Sequence, residues 1–519
     1  MARHFDAIVI GSGLGGLTAG ALHARGGHRV LVLERNSHFG GAATVYHHGS
    51  LAIEASLHEI DGLDAEDPKG PILRALGIDS TISFVDVGDL HEVRSPLLGE
   101  PFVLPHGYNR ALAATKRRFP HQVKGIESYF ERIRAVRHAV ATMSEHQDDR
   151  NWWLWNAPTL PWRLWPLIRD RRATVGEVLR HLFGDDEAVK FALASNLAYY
   201  ADDPETLPFL SYAIPQASYL LGGGHYIRGG SQVLSDRLVA IIREAGGEAE
   251  TDREVKTILL DDDRVRGVRH CARSGGDVKE EFAPVIFGNA APAVLAAMLL
   301  ETKRSAFMER YKDRRLSLSL WTISLGLNRR SREFGVKRYS TAVLPGWLTV
   351  LSRYREAAAI LGEDSATRIT PYGFVAYDQI DSGLNEGGPF LASLVGLDRI
   401  ENWIGLAPEA KRTRKERWMD RIIADIDRQY PGIASAVVLR EMSTAETFHQ
   451  FLNTPGGALY GFAPESRGFM PLAKTAIGGL YLASAFTGGG GFTGAIMGGG
   501  WAARAAAKAD VKRAPSPAA

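Results

Sequence analysis

Three glycines and one acid carry the first chemistry. Gly11-Ser-Gly13-Leu14-Gly15-Gly16 is a Gly-x-Gly-x-x-Gly turn, and Glu34 lies 23 residues after its first glycine. In such a turn Gly11 permits the tight bend, Gly13 lets backbone approach a pyrophosphate, and Gly16 lets a helix pack closely on a strand. The start of the helix offers unpaired N–H groups and a positive dipole end to phosphate. Glu34 is placed to accept ribose hydroxyls, which suits a dinucleotide with free hydroxyls rather than a 2′-phosphate. Two further groups titrate in a useful range: His58 with Glu59, and His225 beside Tyr226. Either histidine has a competing reading as a hydrogen-bonded structural residue.

The surrounding residues supply the elements that such a turn needs. Asp6–Ile10 is a short apolar strand, Leu17 onward is helical, and Arg29–Leu33 is a second apolar strand that ends on Glu34. Strand, glycine turn, helix, strand and acid agree with one another. Gly40-Gly41-Ala42 makes a second close approach of backbone to a ligand. The pattern returns at the other end of the chain. Gly478–Phe486 reads as an apolar strand, Gly488–Gly491 as a glycine turn, and Ala495 to about Lys508 as a helix.

Between these ends, residues 62–220 are helix-rich, with helical spacing at Tyr129–Met143 and Ala188–Tyr200. Gly222–Gly230 is a run of glycine turns, and a helix spans Ser231–Ala245. Two alternating strands, Glu254–Leu260 and Arg264–Arg269, are joined at Asp261-Asp262-Asp263 as a hairpin. Pro284–Gly288 is a buried strand that ends at Asn289. Strands such as Leu316–Leu327 mix with helices up to about residue 455.

Bulk properties exclude several classes. The chain has 519 residues, 45% hydrophobic and 23% charged, with a net charge of +2. Two or three domains are expected, and a general nucleic-acid role has no support. The single cysteine, Cys271, excludes a disulfide framework and a cysteine-based metal centre. His47-His48 lacks ligand companions, so no metal site is expected. No nucleotide-triphosphate loop or esterase elbow occurs. No secretory signal and no apolar run of membrane-spanning length is read, so the expected location is cytoplasmic. Five of the ten tryptophans fall between Trp152 and Trp165, with Arg163, Arg169, Arg171 and Arg172 alongside. Residues 152–169 read either as a peripheral contact with the inner face of a membrane or as a packing loop or tunnel wall.

The glycine turn with Glu34 and Gly40-Gly41, the segment Gly229-Gly230-x-x-x-Leu234, and above all Gly479–Gly499 resemble flavoproteins of the phytoene desaturase type. That family includes carotenoid cis–trans isomerases and the retinol saturase group. Ile53–Ile60 is similar to the Asp-x-Gly-x-His segment of the saturase branch, from which Ala55 and Ser56 depart.

The resemblance implies an α/β fold with a Rossmann-like FAD-binding domain of glutathione-reductase type, plus a second α+β substrate domain. Both are discontinuous. Residues 1–60, 225–292 and 475–510 would hold non-covalent FAD. Residues 61–224 and 293–474 would form the substrate domain, and 511–519 a flexible tail. The cofactor contacts implied are Gly11, Gly13, Leu14, Gly15, Gly16, Glu34, Arg35, Gly40, Gly41, Ala42, Val255 near the adenine, Asn289, and Gly490, Gly491, Phe492 and Thr493 near the flavin.

Expected activity is desaturation or saturation of a C–C bond in a long apolar polyene, isoprenoid or unsaturated lipid. His58, Glu59 and His225 are the candidate acid–base residues, and Tyr460 is a substrate-side aromatic. NAD(P)H, a quinone or oxygen would be the external electron partner. Redox-neutral polyene isomerisation, amine oxidation and a non-enzymatic lipid escort are the competing readings. Cys271 lies far from the C-terminal signature, so a covalent cysteinyl flavin is not expected.

Overall fold

A computed structural model describes residues 3–146, 149–363, 367–464 and 470–511. Its organising element is a parallel sheet of five strands: β1 (Ala7–Ile10), β2 (Val30–Leu33), β3 (Glu248–Glu250), β4 (Val285–Gly288) and β5 (Leu480–Leu482). Their order is β3-β2-β1-β4-β5. Ala7 pairs with Val30 and with Val285, and Ile286 pairs with Leu480. Strands from both ends of the chain therefore share one sheet through β4.

β1, β2 and β4 are apolar at nearly every position because both faces of the sheet are covered. Side chains alternate between the faces. Ala7, Val9, Val30, Val32 and Phe287 pack with three helices, α1 (Leu14–Arg25), α2 (Ser231–Glu244) and α3 (Gly491–Val511). Ile8, Ile10, Leu31, Leu33 and Ile286 face the opposite way. They pack against the meander Arg253–Asp261, Arg264–Ala272 and Lys279–Phe282 through Val255, Ile258 and Val268. Each fully buried branched side chain contributes about 1.5–3 kcal/mol, so this two-sided layer fixes the ends of β1 and β2 firmly.

A second, mixed sheet has seven strands in the order Val437–Ser443, Ser319–Leu327, Phe390–Asp398, Tyr372–Ala376, Ser340–Val343, His91–Arg94 and Phe102–Leu104. One face buries Trp321, Ile323, Phe374 and Leu394 against the helix Pro408–Gln429, through Trp418 and Ile422. Leu320, Val395 and Leu397 project from the other face into a helical layer that includes Val123–Glu145 and Phe209–Gly222. A small antiparallel sheet has the order Ile60–Asp61, Gly224–Ile227 and Phe84–Asp86.

Candidate active site

One continuous cavity of about 790 Å³ runs from the carboxyl end of β1 and β2 to the second sheet. Its first part is built by the glycine turn. Gly11 adopts φ +87°, and Gly13 caps α1 without any side-chain hydrogen bond. The N–H groups of Leu14, Gly15 and Gly16 precede the first intrahelical bond, which Leu17 donates to Gly13, and so remain open to an anion. A Cβ on Gly13 would lie 2.6 Å from Asn289 Nδ2, and one on Gly15 2.4 Å from the Ala483 carbonyl oxygen. Only bare backbone fits this cradle.

Glu34 directly follows β2 and is almost fully buried. One carboxylate oxygen accepts from Ser12 N–H at 2.8 Å and Ser12 Oγ–H at 2.7 Å; the other accepts from Asn36 N–H at 2.8 Å. Ser12, the residue between the first two glycines, thus orients the acid. Gly40 N–H donates back to the Ser12 carbonyl at 3.1 Å, which draws Gly40, Gly41 and Ala42 against the turn. Arg35, Val255 and Asn289 line the same end of the cavity.

At the opposite end of the chain, Gly490, Gly491, Phe492 and Thr493 also line the cavity. Thr493 Oγ–H donates to Asp61 at 2.6 Å, tying the start of α3 to the small sheet. Gly490 lies beneath the ring of Tyr460, where a Cβ would come within 2.8 Å of three ring and stem atoms. Gly16 alone of the expected cofactor residues does not line the cavity. Its missing side chain serves helix-on-strand packing, since a Cβ there would sit 2.6 Å from the Gly11 carbonyl oxygen.

The cavity then enters a chamber walled by Leu90, Ile214, Leu320, Tyr354, Val395 and Leu459. His58 and Glu59 stand in this wall. The loop carrying them is held from several sides. Tyr339 and Tyr377 donate to the carbonyls of His58 and Leu57, at 2.6 and 3.0 Å. Buried Glu54 accepts from Leu57 N–H at 3.0 Å, and from Ser231 N–H at 2.7 Å and Oγ–H at 2.6 Å.

The His58 ring bonds through Nδ1 to Tyr199 OH at 3.0 Å. Burial pushes its pKa down to about 4, so it is a neutral imidazole at physiological pH. Burial drives Glu59 the other way, up to about 8, against the weaker pull of Tyr219 and Ser340. Glu59 Oε2 is buried with no hydrogen-bond partner. A neutral carboxyl beside a neutral imidazole is a proton reservoir without net charge. His91, on the strand His91–Arg94, adds a second neutral imidazole: it lines the cavity, bonds Ser195 Oγ at 3.0 Å and has its pKa pushed to about 4 by burial.

His225 is not part of this group. It lies in Gly224–Ile227, where successive side chains alternate. Gly224 abuts the Glu59 carboxyl and Tyr226 reaches Glu54. His225 therefore points away, towards Asp86 and His106, whose charges act on it more weakly than burial does. The expectation of His225 as an acid–base residue of this site is corrected on this ground, since it does not line the cavity. Cys271 is buried in the strand Arg264–Ala272 of the meander.

The model of the flavin-containing amine oxidoreductases matches residues 14–507. The chain belongs to this family. FAD is accordingly its cofactor, and the bare-backbone cradle, the uncapped start of α1 and the buried acid fit the pyrophosphate and ribose of that group.

Among curated relatives of this flavin family, prolycopene isomerase from Daucus carota is 26% identical over 489 residues, covering 92% of this chain and 76% of that protein. All-trans-retinol 13,14-reductase from Rattus norvegicus is 28% identical over 291 residues, covering 55% of this chain and 47% of that one. An oxidoreductase from Methanosarcina mazei shares the fold with a TM-score of 0.61 at 17% identity, covering 95% of this chain and 98% of that one. Putrescine oxidase bound to putrescine matches with a TM-score of 0.61 at 13% identity, over 98% and 100% of the two chains.

Ser12, Asp61 and His91 are site residues that the sequence reading did not single out. Ser12 carried a signal, as the polar residue inside the glycine turn. Asp61 and His91 carried none, because strand pairing and tertiary packing bring them to the cavity.

Proposed function

We propose that this protein is an FAD-dependent oxidoreductase that adds hydrogen to, or removes it from, a C–C bond of a long apolar polyene or isoprenoid. The observation behind this reading is the union, in one cavity, of the dinucleotide cradle with an aliphatic and aromatic chamber in which burial keeps His58 and Glu59 uncharged. Bound FAD supplies hydride donation or acceptance at its N5. The chain supplies the rest. Leu320, Val395 and Leu459 hold an apolar substrate out of water, and Tyr460 packs over Gly490 between chamber and glycine turn. Glu59 moves the proton: its protonated form gives it to the second carbon in saturation, and its ionised form, which grows as pH rises towards about 8, takes it from that carbon in desaturation. The electron pair comes from a nicotinamide in the first case and leaves to oxygen or a quinone in the second.

An ammonium substrate gains no negative charge from His58 or Glu59. Glu59 is protonated at neutral pH and His58 is neutral, so neither offers negative charge to offset the cost of burying a cation. Redox-neutral isomerisation is a second reading, supported by the relative from carrot, whose match runs over 92% of the chain.

The test is anaerobic reduction and reoxidation of the flavin with a panel of polyenes, unsaturated lipids and amines, followed by analysis of the products. Polyene-dependent bleaching or recolouring with a two-hydrogen mass change supports the proposal. A geometric isomer of unchanged mass selects the second reading. Bleaching by amines alone overturns both.

A further inference from the structure

Residues 150–172 form three short helices, Arg150–Asn156, Leu160–Arg163 and Trp165–Asp170, and the turn after them. Their tryptophans divide into two sets. Trp152 stacks on the His146 ring at 3.9 Å, and Trp153 Nε1–H donates to the His146 carbonyl at 2.6 Å. These two fasten the segment to the end of the helix Val123–Glu145. The other three face solvent, with Trp155 84%, Trp162 76% and Trp165 55% exposed, and Leu154 joins them at 63%. Exposing this much large apolar surface has no return in folding energy.

The charge of the segment has one sign. Residues 150–172 contain five arginines and a single acid, Asp170. Asp170 is buried and held by Arg132 and Arg169 at 2.5 and 2.7 Å, so it presents nothing negative to solvent. Arg163, Arg171 and Arg172 are exposed on the same segment as the outward tryptophans, Arg163 lying over the anchoring Trp152 ring at 5.6 Å. Indole rings settle where an apolar medium meets water, and arginines pair with anionic headgroups. No helix among the described residues is long and apolar enough to cross a membrane.

The location gives the patch a purpose. Val140 and Ser144, in the last two turns of the helix that ends at Glu145, line the cavity. The tryptophan segment is fastened at His146, the very next residue. We infer that residues 150–172 seat the protein on the surface of an anionic bilayer, beside the Val140–Ser144 wall of the cavity, so that a bilayer-dissolved substrate enters without crossing water. Entry of substrate rests on the apolar-substrate reading above; seating on the bilayer does not.

Flotation of the FAD-loaded protein decides the matter. The vesicles are phosphatidylcholine, alone or with about 30% phosphatidylglycerol. The wild type is expected to float with the anionic vesicles and to be released by high salt. The triple variant W155A/W162A/W165A is expected to bind at least about tenfold more weakly. Each of R163S, R171S and R172S is expected to cost on the order of fivefold at low salt. Because these side chains are exposed, flavin content and thermal midpoint are expected to stay at wild-type values, which separates docking from misfolding.

Wild-type protein that does not float with anionic vesicles overturns the inference. So does a triple variant that floats equally well, or one whose only change is a smaller sedimentation coefficient, which would make the patch a contact between copies of this chain. Flotation needs no substrate, so its outcome is independent of whether a polyene is turned over.

Discussion

Replacing Glu59 with glutamine removes one titrating group and leaves its shape. Burial raises the Glu59 carboxyl from 4.5 to about 8. Between these values the folded chain keeps a proton that the unfolded chain has already lost. Wild-type stability therefore falls as pH rises through this window, by about 1.36 kcal/mol per pH unit from this group alone. The full window corresponds to roughly 5 kcal/mol. Glu59 borders an open cavity and keeps some exposure, which about halves that figure. From pH 5.5 to 7.5, wild type should lose about 1.3 kcal/mol relative to E59Q, or ~1 °C in thermal midpoint for a chain of this size. Parallel thermal melts at the two pH values measure it. An infrared carbonyl band of a protonated carboxyl, present in wild type at pH 7 and missing from E59Q, checks the same claim directly. Turnover of the polyene should drop on the order of 100-fold or more in E59Q. Its wild-type pH profile should fall above about pH 8 if Glu59 donates the proton, and rise there if it accepts one. Midpoints of wild type and E59Q that move together with pH would refute the burial argument for Glu59.

Three other substitutions probe the frame. Glu34→Ala leaves Ser12 N–H, Ser12 Oγ–H and Asn36 N–H without their acceptor and removes the ribose ligand, so flavin content after dialysis should fall at least about tenfold by absorbance. Gly490→Val drives side-chain carbons into the Tyr460 ring; it should be isolated with depleted flavin, and G490V/Y460A should regain part of it. Glu54→Ala orphans the Ser231 and Leu57 donors in a dry interior and should cost about 3–5 kcal/mol in denaturant unfolding, against under 1 kcal/mol for an exposed control such as Glu145→Ala.

The parts of this molecule readable from sequence are those whose constraint is local. The turn at Gly11–Gly16, the alternation of Arg253–Asp261 with Arg264–Ala272, and the strand Leu480–Leu482 before its glycines each state their conformation in a few adjacent residues. The helix expected at Tyr129–Met143 extends over Val123–Glu145, and the strand expected at Leu316–Leu327 begins at Ser319. Ends drift in this way because capping and pairing are settled by neighbours distant in sequence.

Contacts that bridge hundreds of residues left no such trace. Tyr339 and Tyr377 pin the His58 loop from 281 and 320 residues away, and nothing near either tyrosine announces it. The direction of His225 escapes sequence reasoning for a related reason. A glycine turn beside a histidine suggests exposure to a ligand, whereas the direction of its side chain depends on which face of a three-stranded sheet it occupies. The tryptophan run was legible as unusual composition. Its separation into rings that anchor on His146 and rings that point outward required coordinates.

Strand β5 begins at residue 480 and completes a sheet whose first strand begins at residue 7. During synthesis the ribosome has thus emitted 479 residues before the last wall of the nucleotide chamber exists. Nascent chains must wait in a partly open state with apolar edges uncovered, the condition in which chaperones engage and aggregation competes. Yellow colour should consequently arise only once Leu480–Leu482 and the helix after it have emerged, and a transcript stopped ahead of codon 480 should yield colourless, insoluble material.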